Sequence, residues 1–171
     1  DQAMVDAVCA ASGPTVDWLV QQHKVPLKLV EGFLYPGHSK PRMHAPASRS
    51  GADLIAGLLA AANAAGIDIV CDATVTTLFA DPDGRVRGVA LSRPDGTTEQ
   101  IGCDALVLAC SGFGGNADLV KRHIPEIAGA QYYGHTGNRG DALLWGEALG
   151  AAVKHLGAYQ GHGSLAMPHA V

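Results

Sequence analysis

Pro-Asp-Gly occurs twice in this chain, at 82–84 and 94–96, each time between short runs rich in β-formers. Proline pre-sets φ for the first turn position, aspartate folds its carboxylate onto nearby amides, and glycine takes the positive φ that closes the turn. Two such turns, so close in sequence, dictate a local three-stranded antiparallel meander. Its strands are expected at Thr74–Ala80, Val86–Ser92 and Thr97–Ile101.

The flanks of the meander carry a different pattern. Residues 51–65 read as a helix: Ser50 can cap it, Asp53 meets the positive end of the helix dipole, and Gly66 ends it. Ile67-Asp68-Ile69-Val70-Cys71 then reads as a buried strand. Beyond the meander, Ala105-Leu106-Val107-Leu108-Ala109 is wholly apolar, as a central parallel strand covered on both faces would be. Together these predict an α/β fold, a parallel sheet interrupted by an inserted three-stranded antiparallel meander. Residues 1–23 read as two helical stretches split at Ser12-Gly13-Pro14, because proline suits a first helical turn better than an interior. Residues 24–49, punctuated by Pro and Gly, read as a long loop with short extended pieces near Leu27–Val30, either plain surface or the lining of a site.

Composition removes several function classes. The formal charge of −4 argues against a nucleic-acid partner, which needs a basic face. No apolar run reaches the ~18 residues of a membrane span, since the longest, 54–65, contains Gly57 and Asn63. Four scattered cysteines (Cys9, Cys71, Cys103, Cys110) form no CxxC pair, so neither a zinc site nor a disulfide framework is expected, and a cytoplasmic setting is. His155, His162 and His169 recur every seven residues, but the glycines and proline between them deny a common helix face, so no metal site is expected. Glycine is 22 of 171 residues, nearly twice the ~7% of average proteins. Such an excess suits tight turns and close backbone approaches.

Two glycine loops concentrate that excess. Ser111-Gly112-Phe113-Gly114-Gly115-Asn116 follows the apolar run and precedes a short helix at about Ala117 to His123. Thr136-Gly137-Asn138-Arg139-Gly140 precedes a helix at Asp141–Leu149, stopped by Gly150. In open α/β sheets ligands gather beyond the strand ends, and small residues let a backbone approach a phosphate or flat ring. The first loop is thus a tight turn or a cofactor contact. Asp141 is a helix cap or a carboxylate for a hydroxyl-rich cofactor. His162, in Gln160-Gly161-His162-Gly163-Ser164, is a surface histidine or a catalytic one.

These pieces in their order resemble one family. Asp104-Ala105-Leu106-Val107-Leu108-Ala109-Cys110-Ser111-Gly112-Phe113 is similar to the A-V-I-L-A-T-G-G-F segment of the FAD-dependent fumarate reductase/succinate dehydrogenase flavoproteins, a family that includes 3-ketosteroid and tricarballylate dehydrogenases. Asn116 fits the asparagine that follows that segment. Asp83-Gly84-Arg85-Val86-Arg87-Gly88-Val89 resembles its D-G-x-V-x-G-V turn, Gly140-Asp141-Ala142-Leu143 its G-D-G-L, and 160–164 its Q-x-H-P-T. Trp18 with Lys24-Val25-Pro26 resembles its W-L…G-V-P-F region. The departures are Cys110 and Ser111 for Thr-Gly, Ala142 for the second Gly of G-D-G, and Gly163-Ser164 for Pro-Thr, the last altering the substrate face beside His162.

The resemblance implies a Rossmann-like fold with two dinucleotide-binding domains and an FAD cofactor. The implied reaction passes a hydride between flavin and a C=C or CH–CH unit next to a carboxylate or carbonyl of a small-molecule substrate. A ketosteroid- or tricarballylate-type dehydrogenase, or a non-catalytic nucleotide-binding module, are the alternatives. It implies cofactor contacts at Val75, Ala109, Ser111, Gly112 and Asp141, and catalysis through His162, which would hydrogen-bond the substrate. Residues 1–161 would be the interior of the FAD-binding domain and 162–171 the start of a substrate-capping domain. The family's G-x-G-x-x-G fingerprint, catalytic arginine and C-terminal flavin segment have no counterpart here, so the chain by itself is expected to be an incomplete, inactive piece, with the proton donor elsewhere.

Overall fold

The computed structural model describes residues 1–32, 34 and 36–161. They fall into two compact units, Asp1–Cys71 and Asp72–Val171.

The first unit opens with helix α1, Gln2–Gln21. The Asp1 carboxylate caps it, accepting from the Ala3 amide at 3.0 Å. The expected break at Ser12-Gly13-Pro14 does not occur: the helix runs through Pro14. A proline interior to a helix removes one amide donor and strands a carbonyl. The hydroxyls on either side bond the carbonyls flanking the one left without its donor, Ser12 Oγ that of Cys9 at 3.1 Å and Thr15 Oγ1 that of Ala11 at 2.8 Å. The loop that follows contains a minimal ladder, β1 (Lys28–Leu29) antiparallel to β2 (His44–Ala45). Val25 and Val30 are buried in this unit.

Helix α2, Gly51–Ala64, ends the unit much as its sequence dictates. Ser50 Oγ accepts from the Ala52 amide at 3.2 Å, and Asp53 lies in the first turn. At its other end the Ile67 amide reaches back to the Ala62 carbonyl and the Gly66 amide to that of Asn63. This Schellman arrangement satisfies carbonyls that a helix end leaves orphaned.

The second unit is built on the meander β3 (Thr74–Ala80), β4 (Val86–Ser92) and β5 (Thr98–Gly102), in spatial order β3-β4-β5. The two turns are near copies. Gly84 and Gly96 adopt φ of 83° and 84°. Asp83 Oδ1 accepts from the Arg85 amide at 3.1 Å and Asp95 Oδ1 from the Thr97 amide at 2.9 Å. The Thr97 hydroxyl adds a second bond to Asp95, and these bonds hold its carboxyl below the ordinary aspartate range. Leu91, in central strand β4, is buried at the core of the sheet. Beyond the sheet come α3 (Ala117–His123), a 3₁₀ turn at Pro125–Ile127 and α4 (Asp141–Ala148). Leu119, within α3, and Ile124, at its end, are buried.

Two expected strands are not formed. Residues 67–71 and 105–109 pair with no strand among the described residues, and the sheets there contain no parallel pair. Both segments are largely exposed, Val107 to 86%. An apolar run supplies a side-chain pattern, but the ladder bonds that make a strand must come from a second segment.

Candidate functional site

The two glycine loops of the second unit are stitched together. The Gly115 amide donates to the Asn138 carbonyl at 2.9 Å and the Gly140 amide to the Gly112 carbonyl at 3.1 Å. Asn116 adds a side-chain clasp. Its Oδ1 caps α3 by accepting from the Leu119 amide at 3.1 Å, while its Nδ2 donates to the Arg139 carbonyl at 2.9 Å. Gly140 is the N-cap of α4 with φ of 85°, and Asp141 is the first helical residue. The capping role open to Asp141 from sequence therefore falls to Gly140. A Cβ on Gly140 would stand 2.5 Å from Leu119 Cδ1 and 2.9 Å from Phe113 Cβ. Only glycine meets both the backbone angle and the packing.

Two clefts open beside this junction. One, of about 370 Å³, is lined by Val75, Val89, Leu108, Ala109, Arg139 and Asp141, among others. Three of the five cofactor residues expected from sequence, Val75, Ala109 and Asp141, thus share one cavity. Val75 lies on β3, an edge strand of the sheet, next to a register shift between Val75 and Thr77. Such bulges re-aim side chains at sites. Arg139 Nη2 stands 3.3 Å from Asp141 Oδ2, with both side chains partly exposed. Sequence reasoning passed over Arg139; its signal was a lone cation in a glycine loop at a helix start.

The other two expected residues, Ser111 and Gly112, line a second cleft of about 610 Å³. Its walls include Phe113, Tyr132, Tyr133 and Tyr159. Tyr132 is held in place, its hydroxyl accepting from Asn138 Nδ2 at 2.6 Å. The tyrosines were also missed, although Tyr132-Tyr133-Gly134 lies one residue before the second glycine loop. His162 lies outside the described residues.

Ser111 takes a φ of 63°, a left-handed conformation costing a non-glycine residue about 1–2 kcal/mol. Ser111→Gly is expected to relax this strain, partly offset by the greater freedom of glycine in the unfolded chain. The expected net gain is about 0.5–1 kcal/mol, or roughly 1–4 °C in melting temperature. Thermal denaturation of Ser111→Gly beside Ser111→Ala checks it, since alanine keeps the strain.

The smaller cleft suits a dinucleotide in the chemistry of its groups. Aliphatic walls can cover a purine face, the Asp141 carboxylate can accept from sugar hydroxyls, and the Arg139 guanidinium can meet a phosphate. No described helix is long and apolar enough to cross a membrane, and the described residues contain no cluster of metal-ligating side chains.

Comparison with known proteins agrees with this chemistry. The chain is 26% identical over 169 residues to a fumarate reductase (cytochrome) of Shewanella frigidimarina, an alignment covering 98% of this chain and 29% of that protein. It is 31% identical over 147 residues to a 3-oxosteroid 1-dehydrogenase of Comamonas testosteroni, covering 75% and 24% respectively. The chain thus spans less than a third of either relative. The structure of 3-ketosteroid-Δ4-(5α)-dehydrogenase from Rhodococcus jostii RHA1, in complex with 4-androstene-3,17-dione, superposes with a TM-score of 0.78 at 24% identity, covering 92% of this chain and 39% of that one. At that identity the likeness speaks for fold alone. The FAD binding domain profile matches residues 1–170. The chain belongs to the FAD binding domain family, and its cofactor is FAD.

Proposed function

We propose that the protein passes a hydride between FAD and a C=C or CH–CH unit adjacent to a carboxylate or carbonyl. The observation that carries this reading is the stitched pair of glycine loops, which gathers Val75, Ala109 and Asp141 at one cleft and Ser111 and Gly112 at the next. Support comes from relatives whose names place their chemistry at such units, a fumarate reductase and a 3-oxosteroid 1-dehydrogenase.

In this reading Val75 offers edge-strand backbone to an adenine ring. Asp141 accepts from cofactor hydroxyls while Arg139 balances its charge. Ala109, Ser111 and Gly112 let the chain approach closely because their side chains are small or absent. The apolar run 105–109 completes a parallel sheet with strands contributed by a second segment, as the two-dinucleotide-binding-domain fold requires. Bound flavin supplies the two-electron chemistry. His162 orients the substrate by a hydrogen bond to its carboxylate or carbonyl, at the junction between the interior of the FAD-binding domain (1–161) and a capping domain.

Asp141→Ala tests the cofactor assignment. It is expected to lower the flavin-to-protein ratio of the enzyme, whereas Asp118→Ala, in the first turn of α3, leaves it unchanged. A purely structural role for Asp141 would instead cost about 1 kcal/mol or less of stability, the worth of a favourable charge at a helix start, with flavin content unaltered. Absorbance ratio and melting temperature measured together separate the two.

A further inference from the structure

We infer that the Arg139–Asp141 pair is an exchange site for the diphosphate of FAD: on cofactor binding the Arg139 guanidinium passes from the Asp141 carboxylate to a phosphate oxygen, and the carboxylate is left to accept from the cofactor's hydroxyls. The inference rests on the cofactor reading above and gives Arg139 a contact of its own in place of a counterion's role.

Among the described residues lining the 370 Å³ cleft, Arg139 is the one cation and Asp141 the one anion; the rest are aliphatic side chains, the Cys110 thiol and the Trp145 indole. A diphosphate entering between such walls has one charged donor to meet. The ion pair does not consume that donor. Nη2 stands 3.3 Å from Asp141 Oδ2, and the guanidinium makes no other hydrogen bond among the described residues. A pair this long, with the arginine side chain 47% exposed, is screened by water and contributes little. Phosphate oxygens match the planar fork of guanidinium donors and are the stronger acceptors.

The backbone fixes the root of Arg139 while its side chain stays free to turn. The Arg139 amide donates to the Gly137 carbonyl and the Arg139 carbonyl accepts from Asn116 Nδ2, both at 2.9 Å. The next residue, Gly140, is tied to the Gly112 carbonyl at 3.1 Å. The guanidinium therefore swings from a point held by both glycine loops. Asp141 tolerates the loss of its partner because it is the first residue of α4, where the helix dipole favours a negative charge. Among the described residues its carboxylate accepts from no other donor, so a hydroxyl finds it open once Arg139 has left.

This exchange has a signature that a passive counterion lacks. With the guanidinium removed, the bare Asp141 carboxylate faces the diphosphate as a like charge, and removing that carboxylate too restores part of the affinity.

The experiment uses the flavin-loaded protein and FAD itself as the probe. Equilibrium dialysis at about 0.05 to 0.5 M NaCl, a range over which screening changes strongly, gives the dissociation constant without turnover when free FAD is read by fluorescence. Arg139→Gln is expected to weaken FAD about tenfold to a hundredfold and to flatten the salt dependence. The double variant Arg139→Gln/Asp141→Asn is expected to bind FAD about threefold more tightly than Arg139→Gln alone, since asparagine still offers an acceptor but no charge. Arg139→Lys keeps the charge, guarding against misfolding, but loses the planar fork, and is expected to weaken FAD about threefold. FAD affinity within about twofold of wild type in Arg139→Gln, where a lost charged bond predicts far more, overturns the proposal. So does wild-type affinity in Arg139→Lys, or a double variant no tighter than Arg139→Gln. If Asp141→Ala weakens FAD and Arg139→Gln does not, the cofactor reading of the cleft stands and the exchange alone fails. If neither does, the cleft is not the cofactor's and that reading fails with it.

Discussion

Gly140→Ala is expected to lower the melting temperature by roughly 5–15 °C and to deplete the protein of FAD. Two costs add at this position. The left-handed backbone, φ 85°, penalises any side chain by about 1–2 kcal/mol. The new Cβ also meets Leu119 Cδ1 and Phe113 Cβ at 2.5 and 2.9 Å, and crowding of a packed core costs about 1–3 kcal/mol more. A sum of about 2–5 kcal/mol corresponds to the stated shift for a protein of this size. Gly150→Ala is the control, because Gly150 shares the backbone angle, φ 82°, but has nothing within 4 Å of the added carbon. Its melting temperature should fall by about 2–4 °C per kcal/mol of backbone cost alone, with FAD retained. Equal losses from the two variants would show that the contact with Leu119 and Phe113 contributes nothing.

His162→Ala is expected to lower kcat/KM about tenfold to a hundredfold while FAD stays bound. One hydrogen bond to a charged or charge-developing substrate oxygen is worth about 1.5–3 kcal/mol. His162 follows directly on Gly161, which lines the larger cleft. Flavin reduction by an artificial donor should survive the substitution, since that step need not use the substrate's oxygen. A change in kcat/KM of less than twofold, with unaltered stability, would remove His162 from catalysis.

The sequence was most readable where structure is local. Two Pro-Asp-Gly turns with their own side-chain bonds set the meander, and strand limits followed within a residue. Ser50 and Gly66 bounded α2 for the same reason, as capping is written within a few residues. Pro14 misled because the helix continues on both sides of it, held by the amide bonds of its neighbours, a tolerance that the local signal does not show. Residues 105–109 pair with no strand among the described residues, because pairing is a property of two segments and the pattern belongs to one. At the candidate site, Asp141 drew attention through the glycine loop beside it and Ala109 through the family resemblance, and both line the smaller cleft. Tyr132 was not legible, since its placement emerges only when Asn138, Gly114 and Gly134 fold around its ring. Arg139 was obscured similarly, as its pairing with Asp141 depends on how the loop turns into α4.

The Asn116 clasp has a kinetic consequence. It joins groups only 23 residues apart in sequence, and the glycine-loop bonds around it are similarly short-ranged. Entropy of loop closure rises slowly with length, and contacts close along the chain form early in folding. The junction can therefore assemble before distant segments arrive. Asp141 would then already be aimed when the nucleotide first encounters the protein, so little ordering is left to oppose its binding.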